Sequence, residues 1–177
     1  MPGFSFPAPR RLEQIIKYAL LERESPQRIF EIWKNHHVER RDACGMVVDS
    51  ATWSSWRADA KKYPYFVFPV QKGDGKFFTV ISQFQDNYCI FTYLEDYRKD
   101  PNNAEPYLSV AFHEDFAEKK GVVLVRGDFS AHLTKDEARR LLWLLSHYYL
   151  KEPKLVKQFN KEPDKFDFQA YLQSCPA

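Results

Sequence analysis

The residues most capable of chemistry in this chain are five histidines, three cysteines and one basic, glycine-bearing turn. His113, Glu114 and Asp115 stand side by side, types that could share a proton in acid–base work. The same trio fits the end of a strand followed by a polar turn. A small-ligand enzyme centred on His113 with Glu114 or Asp115 therefore stays open as an alternative, to be favoured by a deep pocket and a shifted acid there. His36 and His37 suggest a metal, but adjacent helical residues point about 100° apart and do not converge. His132 and His147 have no matching cysteine or carboxylate pattern. Ser130 lacks the GxSxG context of a nucleophile elbow. The turn KGDGK, Lys72 to Lys76, lacks P-loop spacing and joins two apolar runs, so it reads as a hairpin turn. Cys44, Cys89 and Cys175 are odd in number, without a CxxC pair, so neither a disulfide framework nor a zinc site is expected, and a reducing compartment fits. No catalytic residue, metal or cofactor is expected.

A second group of residues speaks to binding. GVVLVRGDF contains Arg126-Gly127-Asp128, an integrin-recognition tripeptide when displayed on an exposed loop. Here it follows Val122 to Val125, a continuous apolar run expected for a strand buried on both faces, with Gly127 at a bulge or close approach. Trp53 and Trp56 sit three apart on one helix, and Trp143 with Leu144 falls off the main apolar face of another. Each pair is either core or a surface patch that engages another protein. The pairs Arg10-Arg11 and Arg139-Arg140 read as solvated faces.

The chain has 177 residues, which suits one domain over 10–177 after a flexible lead-in over 1–9. Aromatics reach 16%, enough for a bulky core, an aromatic-rich binding face, or both. The net charge of +2 is low for a dedicated nucleic-acid binder. No apolar run is long enough to span a membrane, and MPGFSFPAPRR resembles neither a secretory signal nor a typical transit peptide.

These residues need elements to place them. RRLEQIIKY is a short amphipathic piece. Ser25-Pro26 opens a helix that puts Ile29, Ile32 or Trp33, and His36 on one face. ACGMVV is a short strand, and Ser50 caps a helix running to Lys62. YFVFPV, KFFTVISQF and YCIFTYL, separated by KGDG and QDN, form an antiparallel meander, with Pro69 marking an edge strand or a break. Arg98 to Pro106 is a loop. YLSVAFH and GVVLVRGDF complete the strands. TKDE at Thr134 is a capping box before the apolar stripe Ala138, Leu141, Leu142, Leu145, Tyr148 and Tyr149. Pro153 ends that helix, LVKQFN is ambiguous, and FDFQAYLQS is a final short helix. The expected class is α+β: an antiparallel sheet of about five to six strands carrying helices on one face or at its ends.

Five segments in order resemble one family: PRRLEQIIKY, IFEIWKNHH, FPVQKGDGKFF, KKGVVLVRGDF and LVKQFNKEPDKFDF. From about Pro9 to Leu172 they look like the mitochondrial ATP synthase assembly factors that chaperone the catalytic β subunit. The resemblance implies a non-enzymatic protein of the mitochondrial matrix. It would bind the free β subunit, shield its α-contacting surface and prevent aggregation before the hexamer assembles. A monomer is expected, with no nucleic acid and no stable membrane insertion. Trp53, Trp56, Phe77 and Trp143 are the expected partner-binding residues. Arg10, Arg11, Trp33, Phe159, Asn160, Pro163 and Phe166 match family motifs and serve either structure or binding. A generic α+β interaction module with another client is the remaining alternative.

Overall fold

A computed structural model describes residues 9–176. The expected lead-in over 1–9 falls almost wholly outside the described residues. A 3-10 turn, Leu12–Gln14, and the short helix α1, Tyr18–Leu21, bury Leu12 and Leu21. Helix α2, Pro26–Val38, starts as expected, with the Ser25 hydroxyl accepting from Arg28 N–H and proline at the first turn. Its buried stripe is Ile29, Trp33 and His37, an i, i+4 row, rather than one ending on His36.

Strand β1, Ala43–Asp49, leads into α3, Ser50–Lys62. Asp49 caps α3 by accepting from Thr52 N–H at 2.8 Å, so Ser50 is not the cap; its hydroxyl donates to Ala117 O at 2.9 Å instead. The meander follows as β2, Tyr65–Gln71, β3, Phe77–Gln85, and β4, Tyr88–Tyr93. Helix α4, Leu94–Lys99, takes up the first residues of the expected loop. Glu95 and Asp96 lie in its first turn and Arg98 and Lys99 in its last, which suits the helix dipole. Then come β5, Pro106–His113, the short α5, Ala117–Lys120, and β6, Val122–Phe129. Helix α6, Lys135–Lys151, carries the expected capping box. Beyond it, LVKQFN belongs to α7, Pro153–Lys161, and a 3-10 turn at Pro163–Lys165 precedes α8, Phe168–Ser174.

The strands form one six-stranded antiparallel sheet in the order β1-β6-β5-β4-β3-β2. This is the expected α+β class. Helices lie on both faces, not one. Side chains α6, α3, α7 and α8 pack with Val123 and Val125 on the first face. Helix α2 covers Leu124 on the second. Successive strand residues point to opposite faces, so the apolar run in β6 serves two cores at once.

The RGD tripeptide is part of that strand. Arg126 is only 2% exposed and pairs with Asp128 at 2.7 Å. A Cβ on Gly127 would lie 3.0 Å from Leu108 and 3.1 Å from Cys44. Glycine is therefore held there by close packing, and the tripeptide is not displayed for recognition.

Candidate functional site

In the alternative enzyme-like trio, His113 and Glu114 turn to different places. His113 is buried and its pKa is lowered by that burial. It faces a shallow opening of ≈ 280 Å³ with Arg126 and Asp128. Glu114 turns elsewhere, accepting from Trp53 Nε1 and pairing with Arg57 at 3.1 Å. Among the described residues no group of three or more His, Cys, Asp or Glu is placed to hold a metal ion. His37 has a structural place: Nδ1–H donates to Trp33 O at 2.8 Å, and Nε2 accepts from Arg126 at 3.2 Å. The bond from Arg126 needs a neutral ring, since a protonated Nε2 could not accept it, and burial lowers the pKa to about 4 against the opposing pull of the Trp33 carbonyl. Cys44 and Cys89 are buried free thiols, the first raised by burial to about 11. Neither is primed as a nucleophile.

Trp53 and Trp56 are core residues. They are 2% and 0% exposed; Trp53 stacks on Phe112 at 4.0 Å and Trp56 meets it edge-on at 5.1 Å. The surface reading of this pair is corrected, because their helix turns both rings onto the sheet. Leu144 is fully buried too, while its neighbour Trp143 is 48% exposed and stacks on His147 at 5.0 Å. Trp33 is a fully buried residue whose indole N–H reaches Val125 O at 3.1 Å. Arg10 and Arg11 are exposed, and Pro163 opens an exposed 3-10 turn.

Three of the singled-out residues do meet. Phe77, Phe159 and Phe166 line one groove of ≈ 510 Å³, with Tyr93 and Leu94 at the start of α4 and Phe168 at the start of α8. Phe77 is 44% exposed, and the other rings are half-buried. Phe159 and Phe166 meet edge-on at 5.2 Å, and both lie against the buried Phe66, which fixes their orientation. Asn160 anchors the groove wall: its side chain accepts from Tyr65 N–H at 3.1 Å and donates to Tyr65 O at 2.6 Å. Arg98 at the rim pairs with Glu95 at 2.8 Å. Covering apolar surface of this kind is favourable by about 25 cal/mol per Å². Sequence reasoning missed Phe168, Tyr93 and α4. The alternation of Phe166 and Phe168 in FDF, and the acid-to-base order of LEDYRK, were the available signals.

The fold is an α+β domain with an aromatic groove on its surface. The family model described as ATP11 protein matches residues 5–172, and the chain belongs to that family. A zebrafish (Danio rerio) protein named ATP synthase mitochondrial F1 complex assembly factor 1 is 25% identical over 172 residues. The match takes in 94% of this chain and 56% of that protein's length. No described helix is long and apolar enough to cross a membrane.

Proposed function

We propose that this chain assists assembly of the F₁ head of mitochondrial ATP synthase as a non-enzymatic chaperone. It holds the free β subunit in the matrix, covers the surface that will meet the α subunit, and works as a monomer. The observation that carries this reading is the family match along residues 5–172, in line with the name of the zebrafish relative. The aromatic groove supplies a suitable contact: half-exposed rings on a rigid wall bind apolar surface with little ordering cost. Binding must also end when the α subunit arrives, which calls for an off-rate fast enough for handover. Trp143 offers a second exposed ring on a different part of the surface.

The test is light scattering from dilute isolated β subunit, with and without an equimolar amount of this protein. Suppressed aggregation that reverses on adding α subunit is the expected outcome. Phe77→Glu should weaken the suppression on the order of tenfold while leaving thermal stability within about 0.5 kcal/mol, since the ring is half-exposed. Absence of both suppression and co-elution would overturn the reading.

A further inference from the structure

Strand β1 ends the sheet, and its outer edge is unoccupied among the described residues. Two bonds set its parity: Phe129 N–H donates to Asp42 O at 3.1 Å, and Ser50 N–H donates to Gly121 O at 2.9 Å. In an antiparallel ladder bonded residues alternate, so Cys44, Met46 and Val48 bond to β6. Gly45 and Val47 therefore turn their N–H and C=O groups outward. No described residue donates to or accepts from these groups. Both residues are half-exposed. The strand itself holds neither proline nor lysine, and the charges near its edge come from the neighbouring helices α2 and α6.

Elements from opposite faces of the sheet meet beyond this edge. An opening of ≈ 160 Å³ is lined there by Lys34 and Val38 of α2, Gly45 of β1, and Lys135 and Arg139 of α6. The Lys135 ammonium is already satisfied, donating to His37 O, Val38 O and Arg40 O at 2.7, 2.7 and 2.6 Å. Lys34 is exposed and has no ion pair among the described residues. Among the described residues Arg139 reaches only Asp136, at 3.8 Å, and that carboxylate is 93% exposed. Phe30 and Val38, 48% and 63% exposed, lie four residues either side of Lys34 in one row of α2.

We propose that the outer edge of β1 is a strand-addition site for an extended, acidic segment of a partner protein. The segment's main chain pairs with Gly45 and Val47, and its carboxylates meet Lys34 on one side and Arg139 on the other. Strand addition draws affinity from main-chain bonds and specificity from alternating side chains, which here would face α2 and α6 in turn. A second copy of this chain is a poor occupant, because pairing β1 with β1 would gather four of these cations along one seam. The inference goes beyond the proposed function: it names the chemistry of the segment, not its owner.

The experiment is an NMR titration of the full chain with a short capped peptide of valine, threonine and glutamate, with glutamates on both faces. Shift changes and slowed amide exchange confined to β1 and its flanks, strongest at Gly45 and Val47, are expected. Binding should vanish when alternate peptide amides are N-methylated, and when lysine replaces glutamate. Val47→Pro removes an outward donor without touching the β1–β6 ladder and should weaken binding on the order of tenfold. Lys34→Glu with Arg139→Glu, both at exposed positions, should do the same. No shifts at β1 with millimolar peptide, or binding that survives N-methylation, would overturn the proposal. A concentration-dependent dimer abolished by Val47→Pro would also overturn it, by assigning the edge to a second copy. A negative titration beside a positive light-scattering result would sink this inference and leave the chaperone reading standing.

Discussion

The two edges of the sheet are built in opposite ways. On β2, Phe84 N–H donates to Pro64 O, so even-numbered residues bond inward and Tyr65, Val67 and Pro69 face out. The first three outward positions are each guarded, and only the terminal Gln71 is left without a described partner. The Asn160 amide takes both main-chain groups of Tyr65, the Tyr171 hydroxyl donates to Val67 O at 2.6 Å, and Pro69 has no N–H to offer. On β1 the equivalent groups of Gly45 and Val47 meet no described residue. An exposed edge is a template for pairing with other chains, so proteins ordinarily blunt it. The guards on β2, from Tyr65 to Pro69, have no counterpart at Gly45 and Val47, so the two edges differ in side-chain protection along their middle residues. Side chains from α7 and α8 do the closing, and the same segment presents Phe159, Phe166 and Phe168 to the groove.

Acid should separate the two edges most strongly. The β1 side leans on neutral His37, which sits against Arg126, His36 and Asp128 and whose ring lies where a Cβ on Gly45 would collide at 2.7 Å. Its pKa falls from 6.5 to about 4 on folding, so the unfolded chain binds the proton more readily. Stability then rises with pH across that window: the His37 contribution is intact above about pH 6.5 and lost as pH falls to about 4, a change of about 3 kcal/mol. Denaturant unfolding at several pH values checks this. The profile of His37→Gln should be flatter over that window, and equal slopes would remove His37 as the cause. Hydrogen exchange should report loosening at β1 and α2 before the β2 edge, whose closing groups are an amide and a phenol.

Asn160→Ala comes next in size. It deletes bonds to Tyr65 N–H, Tyr65 O and Val156 O, each worth about 1 kcal/mol net, so a loss of about 2–3 kcal/mol is expected in denaturant melts. It should also make β2 resemble β1 as an exposed edge, seen as faster aggregation on mild heating. Unchanged aggregation would mean that Pro69 and Tyr171 alone suffice to guard it.

Local chemistry made much of this fold legible. Ser25-Pro26, TKDE and KGDG are short-range signals, and each set an element boundary correctly. Pro69 announced an edge strand for the same reason, since a missing N–H cannot serve a central ladder. Long-range facts were not legible. Nothing in ACGMVV tells that β1 pairs only with β6, because partner choice depends on segments some eighty residues away in the chain. Trp53 and Trp56 look alike in spacing whether they face a core or a client; only the position of Phe112 across the sheet decides. Asn160 matched a family motif, but its role depends on Tyr65, which lies 95 residues earlier.

Tyr171→Phe gives the smallest and most discriminating effect. It removes the bond to Val67 O and leaves the ring, which is 2% exposed and packed on Phe66 and Tyr148. Burial has already raised the phenol pKa far above its usual value, so the hydroxyl is a donor at every accessible pH. Losing one neutral hydrogen bond should cost about 1 kcal/mol. Aggregation should not rise, because Asn160 and Pro69 still close the positions on either side and one bare carbonyl is too short a template for strand pairing. The double variant with Asn160→Ala should then aggregate faster than either single change while its stability losses add roughly. Additive aggregation as well would mean that the two side chains guard the edge independently, and that closure of β2 is a sum of local caps rather than a continuous wall.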